Sequence, residues 1–124
     1  KSRYQVKKYL SGEEMGTLLY KADLVVSRAG ANTVAELAAL GKPCLLIPLP
    51  WLYQNEQEKN ARMLEKVGIA EVLLQKDLSG GNLLVLIEKM LKNLSFYRKN
   101  AAKAKKLICL KAAEKIADLV EEVK

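Results

Sequence analysis

A chain of 124 residues, half of them hydrophobic and 28% charged, is the size of one domain and buries roughly two thirds of its unfolded surface. No apolar run approaches the roughly 20 residues of a membrane span, and the opening Lys-Ser-Arg-Tyr does not read as a secretory leader. There is no histidine, which removes the commonest general base and the commonest zinc ligand, and two distant cysteines do not make a zinc site; neither a metal nor a cofactor is expected. Net charge is +7, which raises nucleic acid or anionic lipid as partners. Much of the surplus lies between Leu91 and Lys111, where aromatics are not interleaved as base stacking requires. A solvated helix face is the favoured reading there, and no nucleic-acid partner is expected. Cys44 and Cys109 sit in apolar runs, the usage of buried thiols in a reducing compartment, so the cytoplasm is the expected location.

Arg3 to Leu10 alternates roughly and reads as a strand. Ser11-Gly12-Glu13-Glu14 has the form of a capping box, with Met15, Leu18 and Leu19 following at helical spacing. Leu24 to Val26 is a continuous apolar run, the mark of a strand covered on both faces. Thr33 to Leu40 reads as a helix closed by Gly41 at C′, with Pro43 just beyond. Cys44 to Leu49 is the next buried strand, Glu56 to Val67 a helix ending at Gly68, and Ile69 to Leu74 another short strand. Asp77 to Leu84 turns into a helix that continues to the end of the chain. Ile116, Leu119, Val120 and Val123 give its last part an amphipathic face. Apolar strands separated by helices imply an α/β domain, a Rossmann-like parallel sheet with flanking helices.

In such sheets ligands bind outside the carboxyl ends of the strands. Arg28-Ala29-Gly30-Ala31 occupies that place, and Gly30 permits a tight turn and a close approach of backbone to a ligand. Asn32 and Thr33 start a helix whose first amides lack intrahelical partners, an arrangement suited to phosphate. A turn with an N-cap and no ligand fits the spacing equally well. Glu36 is open in the same way. Thr33-Val34-Ala35-Glu36 is itself a capping box, yet a carboxylate one turn into a helix also suits the two vicinal hydroxyls of a sugar. Further on, Pro48 and Pro50 stiffen a loop carrying Trp51 and Tyr53. Gln57, Asn60, Ala61, Leu64 and Val67 then fall on one helical face. That face points Gln57 and Asn60 at the strand ends and Leu64 into the core; a generic explanation is a polar helix start with Asn60 tying down a loop.

Taken together, Ala22 to Pro50, with its Ser27-Arg28-Ala29-Gly30-Ala31-x-Thr33-x-x-Glu36 signature, and Asn55 to Ala70, with its Gln57-x-x-Asn60-Ala61 element, resemble the MurG family of peptidoglycan N-acetylglucosaminyltransferases. These are GT-B glycosyltransferases, and the likeness is to the later half of their C-terminal, nucleotide-sugar-binding domain, from about Tyr4 to the end of the chain. The resemblance implies that Gly30, Ala31, Asn32 and Thr33, beside Arg28, receive the diphosphate of UDP-N-acetylglucosamine, and that Glu36 binds the ribose. It also implies that Gln57, with Glu56 and Asn60 near it, reaches the sugar, and that Tyr9-Leu10 falls where the uracil-binding segment lies. Glu56 departs from the family, which has His or Gln at its position, and Ser11 to Glu14 is about two residues longer than the usual connection. The acceptor-binding N-terminal domain and the glycine-rich opening of the donor domain have no counterpart in this sequence, so no catalytic residue is assigned and the piece is expected not to catalyse transfer alone.

The implied activity is transfer of N-acetylglucosamine to undecaprenyl-pyrophosphoryl-muramoyl-pentapeptide, on the inner face of the cell membrane. A related UDP-sugar glycolipid synthase and a non-catalytic donor-binding subunit with a membrane-bound partner are the alternatives. Lacking its first strands, the sheet is also expected to leave an edge through which a homodimer forms.

Overall fold

The computed structural model describes residues 4–50 and 55–109. Three short parallel strands, β1 (Val25–Ser27), β2 (Cys44–Leu46) and β3 (Ala70–Val72), lie side by side in that order. The register places Val25 opposite Cys44 and Cys44 opposite Ala70. Between the strands run α1 (Gly12–Lys21) before β1, α2 (Ala31–Leu40) and α3 (Glu56–Val67). After β3 come a single 3-10 turn at Gln75–Asp77, then α4 (Gly80–Lys92), α5 (Leu94–Lys99) and a further helical stretch over 101–109.

The alternation of side chains along β2 divides the core. Cys44 and Leu46 point to one face, where Val34, Leu37 and Ala38 of α2 and Ala61 and Leu64 of α3 cover them together with Ala104. Leu45 and Ile47 point to the other, against Met90 of α4 and Tyr97 of α5. A strand buried on both sides has no polar alternation to show, which is why its sequence is a plain apolar run. The sheet is therefore of the doubly wound α/β kind, with helices on both faces, as expected.

Helix ends match the sequence closely where a local device sets them. At α1 the Ser11 Oγ accepts the Glu14 N–H at 3.1 Å, and the Glu14 carboxylate accepts the Ser11 N–H at 3.1 Å. Helix α2 closes on Gly41 in the left-handed conformation, φ 64°. Helix α3 ends on Gly68, φ 90°.

Four expectations fail. The strand anticipated over Arg3 to Leu10 does not form in its described part: Tyr4, Val6 and Tyr9 are almost fully exposed, and no described segment pairs with them. Alternation prepares a strand, but only a ladder partner makes one. The helix after Gly80 is not continuous, since Asn93 and Asn100 break it into three pieces. At the second break the Asn100 side chain donates to Phe96 O at 3.2 Å and to Gly68 O at 3.0 Å, bonding to backbone as asparagine does at helix ends. Helix α2 starts two residues before Thr33, at Ala31. Cys44 is buried as expected, but Cys109 is exposed. Trp51, Tyr53 and the amphipathic run from Ile116 to Val123 lie outside the described residues.

Candidate functional site

Beyond Ser27 the chain needs three residues to pass from β1 into α2, and those three are pinned from outside. Ala29 is fully buried; its N–H donates to Gln57 Oε1 at 3.2 Å and its carbonyl accepts from Asn60 Nδ2 at 3.2 Å. Gln57 Oε1 also accepts the Leu49 N–H at 3.0 Å. Gln57 and Asn60 are one turn apart on α3 and share a face, and Ala61 and Leu64 of the same helix are buried beneath them. The expected orientation of α3 holds, and so does the generic explanation that Asn60 ties down a loop. On the other side Arg28 Nη1 donates to Ile47 O at 3.2 Å and to Gln75 Oε1 at 2.6 Å. Groups following all three strands are thus knitted together at their carboxyl ends.

Helix α2 opens on Gly30 with no side-chain cap. The Gly30 carbonyl accepts the Val34 N–H at 2.9 Å, the first intrahelical bond. The N–H groups of Ala31, Asn32 and Thr33 have no acceptor among the described residues. They stand at the positive end of the helix dipole, in the arrangement that receives anions. The capping box proposed for Thr33 and Glu36 is overturned, because Thr33 lies inside the helix and cannot take the extended conformation of an N-cap. The turn does not need the conformational freedom expected of Gly30: its φ of −63° and ψ of 154° are open to any residue.

Released from a capping role, the exposed Glu36 residue lines a cleft of about 410 Å³ along the edge of β1 that no described strand pairs with, together with Met15 and Leu19 of α1, Val26, Ser27 and Thr33. The lining is apolar on the α1 side and polar toward α2. Helical spacing does not mark Met15 and Leu19 as cleft residues; Leu19 also packs against the core. Met15 is in fact 43% exposed, as a cleft wall is and a core residue is not.

The structure therefore gathers Gly30, Ala31, Asn32, Thr33, Glu36, Gln57 and Asn60 on one rim. Arg28 belongs to the same rim, with its guanidinium turned to Ile47 and Gln75. Tyr9 stands out in solvent. Leu10 lines a separate hollow of about 350 Å³ with Lys7, Glu14 and Leu18. Glu56, the first residue of α3, is exposed and follows Asn55, whose φ is 54°. Among the described residues no group of three or more acidic or cysteine side chains is placed to hold a metal ion.

The chain is similar to known proteins in sequence and in fold. A transferase from Oenococcus oeni, named as UDP-N-acetylglucosamine--N-acetylmuramyl-(pentapeptide) pyrophosphoryl-undecaprenol N-acetylglucosamine transferase, is 44% identical over 122 residues, covering 98% of this chain and 32% of the relative. The protein of the same name from Bacillus cytotoxicus is 44% identical over 109 residues, 88% of this chain and 30% of its own length. The chain thus spans about a third of the curated relatives it matches. In three dimensions it resembles the crystal structure of Acinetobacter baumannii MurG, with a TM-score of 0.70 and 31% identity over 82% of this chain and 28% of that one. The spinosyn forosaminyltransferase SpnP shares the fold, with a TM-score of 0.63 at 21% identity over 77% of this chain and 24% of that one. The model of the glycosyltransferase family 28 C-terminal domain matches residues 2–123, and the chain belongs to that family.

Proposed function

We propose that this chain forms the donor-binding part of an inverting transferase that moves N-acetylglucosamine from UDP-N-acetylglucosamine to a lipid-linked muramoyl-pentapeptide. The observation that carries the reading is the open start of α2. Three amides without an acceptor among the described residues stand at a strand end, with a carboxylate that makes no bond among those residues one turn further on beside a half-apolar cleft. The diphosphate takes the Ala31, Asn32 and Thr33 amides, and the ribose hydroxyls take Glu36. The base lies along the apolar wall formed by Met15, Leu19 and Val26. As the sugar–phosphate bond breaks, negative charge grows on the departing UDP, and amides already aimed at it lower the barrier without reorganising. The proton of the attacking hydroxyl is assigned to no residue of this chain.

The relatives' names supply the acceptor. A lipid-linked acceptor would hold the whole protein on the inner face of the cytoplasmic membrane as a peripheral protein. No helix among the described residues is long and apolar enough to cross a membrane.

An NMR titration of the chain with UDP-N-acetylglucosamine, UDP-glucose and UMP, repeated on Glu36→Ala, tests the reading. Shifts should concentrate between Gly30 and Glu36, and the variant should bind at least about tenfold more weakly, as the loss of charge-assisted hydrogen bonds implies. A preference for UDP-glucose would move the assignment to a glycolipid synthase. An unchanged affinity in Glu36→Ala would remove the carboxylate from the site.

A further inference from the structure

At the opposite end of the sheet from the open start of α2, a hollow of about 460 Å³ lies where α3 runs out at Gly68, just before β3, and α5 runs out at Asn100. Its floor is fixed. The Asn100 side chain, 6% exposed, donates to Gly68 O at 3.0 Å and to Phe96 O at 3.2 Å, which ties the ends of the two helices together. Lys66, Lys99 and Lys103 line the hollow, together with Glu65 and Glu71. Both carboxylates are engaged by cations that do not line it. Glu65 pairs with Arg62 at 3.0 Å, and Glu71 pairs with Lys89 at 3.4 Å while accepting from the Tyr97 hydroxyl at 2.8 Å. The three lysines make no ion pair among the described residues. Lys99 Nζ stands 5.0 Å from the centre of the Phe96 ring, a contact that places the ammonium without neutralising it. Part of this charge answers the helix ends. The last turns of α3 and α5 each carry the equivalent of about half a negative charge, so together they offset roughly one lysine. About two positive charges then remain facing the hollow.

We propose that this hollow is a second anion site, which takes a dianionic phosphate group on Lys66, Lys99 and Lys103. Ammonium groups on flexible stems meet a phosphate as point charges rather than as a planar fork, so recognition is by charge and size, and the rest of the ligand stays outside. The site stands apart from the nucleotide reading: it adjoins the amino end of β3, whereas α2 begins after the carboxyl end of β1. A free phosphate and the phosphate headgroup of a lipid present the same chemistry to it.

The test is an amide NMR titration of the chain with inorganic phosphate, run against sodium chloride at equal ionic strength, followed by binding to phosphatidylcholine vesicles with and without phosphatidic acid. Phosphate should give saturable shifts at Gly68, Phe96 and Asn100 that chloride does not. The triple variant Lys66→Gln, Lys99→Gln, Lys103→Gln should bind it at least about tenfold more weakly, as the loss of charge-assisted hydrogen bonds implies. The double variant Lys105→Gln, Lys106→Gln, on the same basic stretch but outside the hollow, should stay within about twofold of wild type. Phosphate shifts accompanied by binding to the phosphatidic acid vesicles identify a lipid headgroup as the ligand; phosphate shifts without it identify a soluble phosphate compound. Equal losses in the two variants, or the same shifts with chloride, would show that diffuse charge alone attracts anions and would overturn the site. So would vesicle binding without a phosphate response, no phosphate response at all, or shifts confined to Ala31 to Thr33.

Discussion

Gly30 shows how a single position separates the needs of the fold from the needs of a ligand. Its backbone conformation is open to any residue, and an added β-carbon would meet only Gln57 Nε2, at an ordinary 3.8 Å. The fold therefore does not demand glycine here. What a methyl group would fill is space beside Gln57 Nε2 at the start of α2. Gly30→Ala should shift stability by no more than about 1 kcal/mol, since alanine is a poorer N-cap but also restricts the unfolded chain. Its affinity for UDP should fall by more than tenfold. Urea unfolding and calorimetric titration of the same preparation decide it: a large loss of stability, or intact binding, would mean that the glycine serves packing. Glu36 teaches the complementary point. Spacing alone leaves it balanced between cap and ligand, and the position of Thr33 inside α2 removes the first of those roles.

Among the elements, those bounded by local chemistry were the legible ones. Ser11 with Glu14, Gly41 and Gly68 mark helix ends through bonds made within a few residues, so the relevant physics is contained in the sequence window. The start of α2 was misplaced because Gly30 supplies no side chain to announce it. The expected strand does not form over its described part, Tyr4 to Leu10, because a ladder is a non-local object. That Asn60 ties down a loop was legible, but its attachment point at Ala29 was not: the partners are 28 and 31 residues away, and residue types alone cannot say which of Gln57's two polar atoms bonds to Ala29. Gly41 offers a test at this scale. Its φ of 64° disfavours any side chain, and a β-carbon there would lie 2.5 Å from the Ala101 β-carbon. Gly41→Ala combines the left-handed penalty of roughly 1–2 kcal/mol with displacement of the helix over 101–109. It should therefore cost about 2 kcal/mol or more by urea unfolding, and a loss below about 0.5 kcal/mol would show that the junction yields easily.

For the molecule as a whole, the two faces of one thin sheet carry groups whose titration ties stability to pH. Cys44 sits in the middle strand under α2 and α3 with no exposed surface, and burial pushes its thiol up to about 12. On the opposite face Tyr97 donates to Glu71 Oε2 at 2.8 Å, with Lys89 Nζ 3.4 Å from the same oxygen. Burial, followed by the hydrogen bond to this carboxylate, raises the phenol above its ordinary value. Both groups stay protonated in the folded chain at pH values where the unfolded chain releases the proton. The unfolded state then binds fewer protons, so stability falls as pH rises. The contribution of Cys44 is complete below about pH 9, the ordinary range of a thiol, and is lost progressively toward pH 12. One such proton is worth at most about 1.4 kcal/mol per pH unit. Cys44→Ala removes that term and adds a small, pH-independent packing cost. The difference in unfolding free energy between wild type and variant should therefore shrink between pH 9 and 10.5, with Tyr97 and the lysines cancelling because both proteins carry them. A gap that stays constant across that range would show that the thiol ionises as easily in the folded chain as in the unfolded one, and that the α2–α3 face of the sheet admits water.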